Sequence, residues 1–148
     1  MAASMVNGTA LTTPIEVSFP LPRAPQTNAH LQLTDNRTCL VIFLTTTTSE
    51  SSTLASLGSF VYAMPNRSSP SDVFSTPLYT YAGNLDFTTR LAKVLARKAG
   101  KPVYVGNSIS FASAGMGGTV EEEMEGFRRC VEVVMGLLRV NEKKVDGD

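Results

Sequence analysis

Two hydrophobic periods alternate along this chain, and where one gives way to the other marks its elements. Ile15-Glu-Val-Ser-Phe19 alternates apolar and polar residues, the period-two signature of a half-buried strand. Pro20, Pro22 and Pro25 are expected to end that strand in an extended connection. His30-Leu-Gln-Leu-Thr34 alternates again, and Asp35-Asn36-Arg37 is a tight-turn signal, so a hairpin into the apolar stretch Thr38 to Thr45 is predicted. Gly58 to Met64 returns to strand character. Val73 to Tyr81 does so too, but Pro77 cannot donate to a ladder, which places that strand at an edge or a bulge.

The period then changes. Phe87, Leu91, Val94 and Leu95 recur at helical spacing, predicting a helix over residues 86–100. Asn84 or Asp86 is expected to cap it, and Gly100 followed by Pro102 to stop it. Val103-Tyr-Val105 reads as a buried strand. A small-residue connection follows, and a last helix is predicted from Thr119 to about Val140. Thr119 with Glu122 three residues later fits a capping box, and Val120, Met124, Phe127, Val131, Val134 and Leu138 make its apolar stripe.

Strands gathered early and helices late predict an α+β fold. The expected sheet is largely antiparallel, with about five or six strands and two helices of the C-terminal half on one face. A single domain over residues 15–140 is expected. Residues 1–14 read as a disordered tail, 46–57 as a mobile Ser/Thr-rich loop and 141–148 as a polar C-terminal tail. Cys39 to Leu44 breaks the alternation expected of a sheet with one wet face: Cys39, Val41 and Phe43 point one way, Leu40, Ile42 and Leu44 the other, and all are apolar. Two helices can cover one side only. Either the sheet folds over into a sandwich, or a partner supplies the second layer.

Charge narrows the function classes. The 148 residues carry 13 basic and 13 acidic side chains, a balance that argues against a dedicated nucleic-acid binder. Within that balance, Arg90, Lys93, Arg97 and Lys101, with Lys98 alongside, form one basic helix face, which suits an acidic partner. A small nucleic-acid-binding module using helix 86–100 is the alternative reading. No apolar run approaches the roughly 18 residues that suggest a membrane helix. The first residues have neither the basic cluster nor the apolar core of a secretory signal, and two cysteines without a framework read as free thiols. A cytoplasmic or nuclear location follows from these as an expectation. His30 is the lone histidine and reads as structural; no metal set, nucleophile elbow or P-loop lysine accompanies it. No enzyme and no cofactor are expected, although a deep polar pocket around His30 would reopen that question.

The run from Arg90 to Val105, RLAKVLARKAGKPVYV, followed by Val120-Glu-Glu-Glu-Met-Glu-Gly-Phe127, resembles the proteasome assembly chaperone 4 family over roughly residues 29–129. The Leu40 to Leu44 strand fits the same pattern, while the Ser/Thr-rich insertion and longer tails resemble a fungal-type member. The resemblance implies a non-enzymatic chaperone that pairs with a proteasome assembly chaperone 3-like protein, the two sheets meeting with helices outside. The pair would bind a proteasome α-subunit, the fifth, and promote assembly of the core-particle α-ring. On that reading one face of the Cys39 to Leu44 strand packs against its own helices. The other, assigned to Leu40, Ile42 and Leu44, lies at the heterodimer interface. Arg90, Lys93, Arg97 and Lys101 are assigned to the α-subunit.

Overall fold

The computed structural model describes residues 13–48, 57–69, 71–109, 111 and 119–146. Most of the expected tail (1–12) and loop (49–56) therefore lies outside the described residues. The elements are β1 (Ile15–Leu21), β2 (Ala24–Asp35), β3 (Leu40–Thr48), β4 (Ser59–Pro65), β5 (Val73–Tyr79), α1 (Leu85–Ala99), β6 (Val103–Asn107) and α2 (Val120–Asp146). The fold is α+β: one six-stranded, mostly antiparallel sheet in the order β1-β2-β3-β6-β4-β5, with both helices in the C-terminal half.

Three local outcomes depart from the sequence reading. β1 does not end at Phe19: it runs to Leu21, turns at Pro22-Arg23 and pairs back onto β2 as a hairpin. The prolines fit because β1 is an edge strand, and because the β3 ladder meets β2 only from Thr27 onward, past Pro25. β6 inserts between β3 and β4, parallel to the first and antiparallel to the second. α2 continues to Asp146, so residues 141–146, expected as tail, extend the helix, where Asn141 Nδ2 donates to Asp35 Oδ2 at 3.3 Å.

The ladder registers fix which residues share a face. Leu31 pairs with Leu44, Leu33 with Ile42, Ile42 with Val105 and Val105 with Val61. These line the inner face, where they join Phe87, Leu91, Leu95, Cys130, Val134 and Leu138 in one core. α1 packs over β4, β5 and β6. α2 reaches the β1–β2 side, where Arg23 pairs with Glu121 (3.3 Å) and Glu125 (3.1 Å), and the Arg129 guanidinium lies 5.7 Å from the Phe19 ring centre.

A buried polar cluster pins the start of α1 to the sheet. Asn107 Nδ2 donates to Thr88 Oγ1 (3.1 Å), Thr88 Oγ1 donates to the Asn84 carbonyl (2.6 Å), and Ser59 Oγ lies 2.6 Å from Asn84 Oδ1. Asn84 occupies the N-cap position but makes no side-chain cap bond. Its oxygen is committed to Ser59 instead. At the other end the predicted stop holds: Gly100 is left-handed at φ 69°, and its N–H returns to the Ala96 carbonyl. At the start of α2 the Glu122 N–H donates to Thr119 Oγ1 at 3.2 Å, as the predicted box requires of its capping threonine.

Candidate partner interface

The core claims Leu40, Ile42 and Leu44, whose exposures are 0%, 0% and 3%. The assignment of these three to the heterodimer interface therefore needs correction by one residue of parity. They face the chain's own helices. Val41 and Phe43 face outward, because the β3–β6–β4 registers put them beside Tyr104, Gly106, Phe60 and Tyr62.

This outer face has two halves of different chemistry. Over β3, β6 and β4 runs an aromatic ladder. The Phe43 and Phe60 rings stack at 6.0 Å, Phe60 and Tyr104 at 6.0 Å, and Tyr104 and Tyr62 tilt together at 4.7 Å. Met64 and Phe74, a cross-strand pair, carry the apolar surface toward β5, where Phe74 is 57% exposed. Gly106 sits beneath the ladder. A Cβ there would lie 2.7 Å from Phe43 Cδ1, so only glycine lets that ring lie down on β6. No helix or strand among the described residues covers this half.

Over β1 and β2 the same face is polar. Gln32 Nε2 donates to Glu16 Oε1 (3.3 Å), and His30 stands between Ser18 Oγ (2.7 Å from Nδ1) and Thr47 Oγ1 (2.6 Å from Nε2). A depression of about 710 Å³ lies here, bordered by Glu16, Ser18, His30, Gln32, Phe43 and Leu57. It is a pocket beside His30, whose two imidazole nitrogens meet hydroxyls; among the described residues no carboxylate is bonded to the ring. No group of three metal-capable side chains occurs among the described residues. Cys39 is half-buried and Cys130 buried, both free; burial pushes the Cys130 thiol up to about 12, leaving it inert.

The basic stripe is real but shorter than expected. Arg90, Lys93, Arg97 and Lys98 are exposed on α1. Lys101 lies beyond the helix and leaves the stripe: its Nζ bonds Asp35 Oδ1 at 3.1 Å and the Arg37 carbonyl at 3.4 Å. Asp35 in turn accepts the Arg37 N–H at 2.9 Å, holding the β2–β3 turn with Arg37 at φ 68°. Burial pulls the Asp35 carboxyl up, but the Arg37 N–H, the Lys101 ammonium and Asn141 together hold it below the ordinary carboxylate range.

Among the described residues, one sheet face is covered by helices and the other is an aromatic surface open at its centre, an arrangement that suits a protein-interaction module. The sequence model of one family, proteasome assembly chaperone 4, matches residues 28–109, more than half of the chain, and that span holds every ring of the ladder and all of α1. The chain belongs to the proteasome assembly chaperone 4 family. No curated protein matches it. Among solved structures it is similar to a chain of a yeast chaperone complex for 20S proteasome assembly. That likeness has a TM-score of 0.62 and 19% identity, covering 85% of this chain and 97% of that one. At that identity the likeness establishes a shared fold.

Proposed function

We propose that this protein is one half of a heterodimeric assembly chaperone. Its aromatic sheet face pairs with a chaperone-3-like protein, and the pair binds a proteasome α-subunit, the fifth, to promote formation of the core-particle α-ring in the cytoplasm and nucleus. One observation carries the pairing: the ladder Phe43–Phe60–Tyr104–Tyr62 lies centrally on a face that no helix or strand among the described residues covers, where burial against a second sheet would remove it from water. Family membership supports the assembly role, and the structural neighbour's description as a chaperone complex supports a chaperone partner. The exposed cations of α1 suit encounter with an acidic ring subunit, since complementary charge chiefly speeds association.

The test is native mass spectrometry of the tagged protein recovered from its own cells. The expected species is a one-to-one complex with a chaperone of similar fold, in part carrying an α-subunit. Recovery of the chain alone, or with neither class of protein, would sink the reading.

A further inference from the structure

On the side facing away from the sheet, the apolar stripe of α2 outruns its own core. Cys130, Val134 and Leu138 are buried, whereas Val120 and Met124 are 71% and 52% exposed. With Val94, Phe127 and Val131 they floor a depression of about 550 Å³ between α1 and α2. A second depression, of about 690 Å³, lies between α1 and the β4–β5 hairpin, with Val73 and Phe74 in its wall. Arg90, Val94 and Phe127 line both, and Arg90 lies over the Phe127 ring at 5.5 Å. The two are one trough, divided at that stacked pair.

Its walls are cationic. Arg90, Lys93, Arg97, Lys98 and Arg128 stand against Asp72, Glu123 and Glu132. Among the described residues Lys93, Arg97 and Lys98 have no carboxylate within 4.0 Å, and the only one near Arg90 is the exposed Asp86, at 4.0 Å. The excess positive charge therefore awaits a counter-charge. The chain's own segments outside the described residues supply little of it, since Glu50 and Asp148 are their only acidic side chains. A groove with an apolar floor in two compartments and unpaired cations along its edge fits an amphipathic helix with apolar anchors a turn or two apart and acidic flanks.

We propose that this trough seats an acidic amphipathic helix presented by the client α-subunit. The proposal rests on the α-subunit reading above and adds the binding site and the chemistry it selects. Anchors of the guest enter the Val94–Met124–Val131 compartment and the one walled by Val73, while its carboxylates meet Lys93, Arg97 and Lys98.

Two arms test it. In the first, the co-expressed heterodimer is titrated with the fifth α-subunit, comparing wild type with Val94→Glu/Met124→Glu and with Lys93→Glu/Arg97→Glu. Both variants are expected to weaken capture about tenfold or more, with pairing to the chaperone partner unchanged and the salt dependence reduced in the charge variant. In the second, the heterodimer is titrated with a synthetic helix of roughly 18 residues bearing leucines on one face and glutamates elsewhere, and with its lysine counterpart. The glutamate peptide is expected to bind more tightly and to shift the methyl signals of Val94, Met124 and Val131. If wild type and both variants capture the α-subunit equally, the trough proposal is overturned while the proposed function stands. If wild type captures none, the proposed function falls, and the peptides alone decide. Equal binding of the two peptides, or methyl shifts elsewhere, overturns the trough. Self-association that Val94→Glu/Met124→Glu abolishes and the glutamate peptide does not compete would give the site to a second copy and overturn it as well.

Discussion

β3 carries two apolar rows one residue out of phase, and they have opposite fates. Leu40, Ile42 and Leu44 are sealed beneath the helices, while Phe43 on the other row is 38% exposed. The neighbours extend the contrast. Inner positions on β4 and β6 are Val61, Ala63, Val103 and Val105, aliphatic side chains that admit close helix packing. Outer positions are Phe60, Tyr62 and Tyr104, large flat groups of which two end in a hydroxyl. Such residues tolerate water at one end while offering a broad apolar body to a partner. One row holds the chain together, and the other is the one that the proposed function gives to a second molecule.

That division can be broken by paired truncations. Ile42→Ala leaves a cavity in a fully buried site and is expected to cost about 2–5 kcal/mol of stability in urea unfolding, with unchanged denaturant slope. Phe43→Ala on the isolated chain is expected to cost about 1 kcal/mol or less, because that ring is already partly hydrated. Equal losses at the two positions would erase the distinction between the rows.

The second expected effect is on association. Phe43→Ala with Tyr104→Ala removes adjoining rungs of the ladder and is expected to weaken pairing with the chaperone-3-like protein by about 2 kcal/mol or more, roughly thirtyfold. Ile42→Ala, where it folds, should leave that affinity within about threefold. Titration calorimetry of the two purified chains distinguishes these outcomes. Unaltered affinity in the double variant would place the interface elsewhere on the molecule.

Much of this was legible in residue order, and the misreadings share a cause. Alternation located β1 and β2, apolar runs located β3 and β6, Pro77 marked β5 as an edge, and Gly100 marked the end of α1, because each rests on the chemistry of a few adjacent residues. Strand order was not legible: nothing local to Val103-Tyr-Val105 says that it enters between β3 and β4. The parity of β3 hung on the same unknown, since both of its rows are apolar and only the side on which α1 and α2 fall decides which one is core. Asn84 looks like a cap until Ser59, 25 positions earlier, takes its side chain. Lys101 looks like the last rung of the basic stripe until the β2–β3 turn, 66 residues away, claims it. Local chemistry names the elements, and long-range contacts choose among the uses each residue could serve.

The Lys101 diversion gives the smallest and most specific expectation. Asp35 is held below its ordinary value in the folded chain, so its contribution is fully present above the unfolded carboxylate value, near pH 4, and is lost as pH falls through the folded one. Lys101→Met removes the ammonium and leaves burial opposed only by the Arg37 N–H and Asn141, so the Asp35 carboxyl should titrate at higher pH than in wild type. The variant is expected to be less stable by about 1 kcal/mol at pH 7, with the deficit shrinking as pH falls below the unfolded carboxylate value and vanishing only below the folded wild-type value, where Asp35 is neutral in both proteins. Carbonyl NMR titration of Asp35, alongside urea unfolding at several pH values, measures both. A deficit that persists undiminished in acid would mean that the lysine serves there through its packed methylene stem, and that the ion pair contributes little.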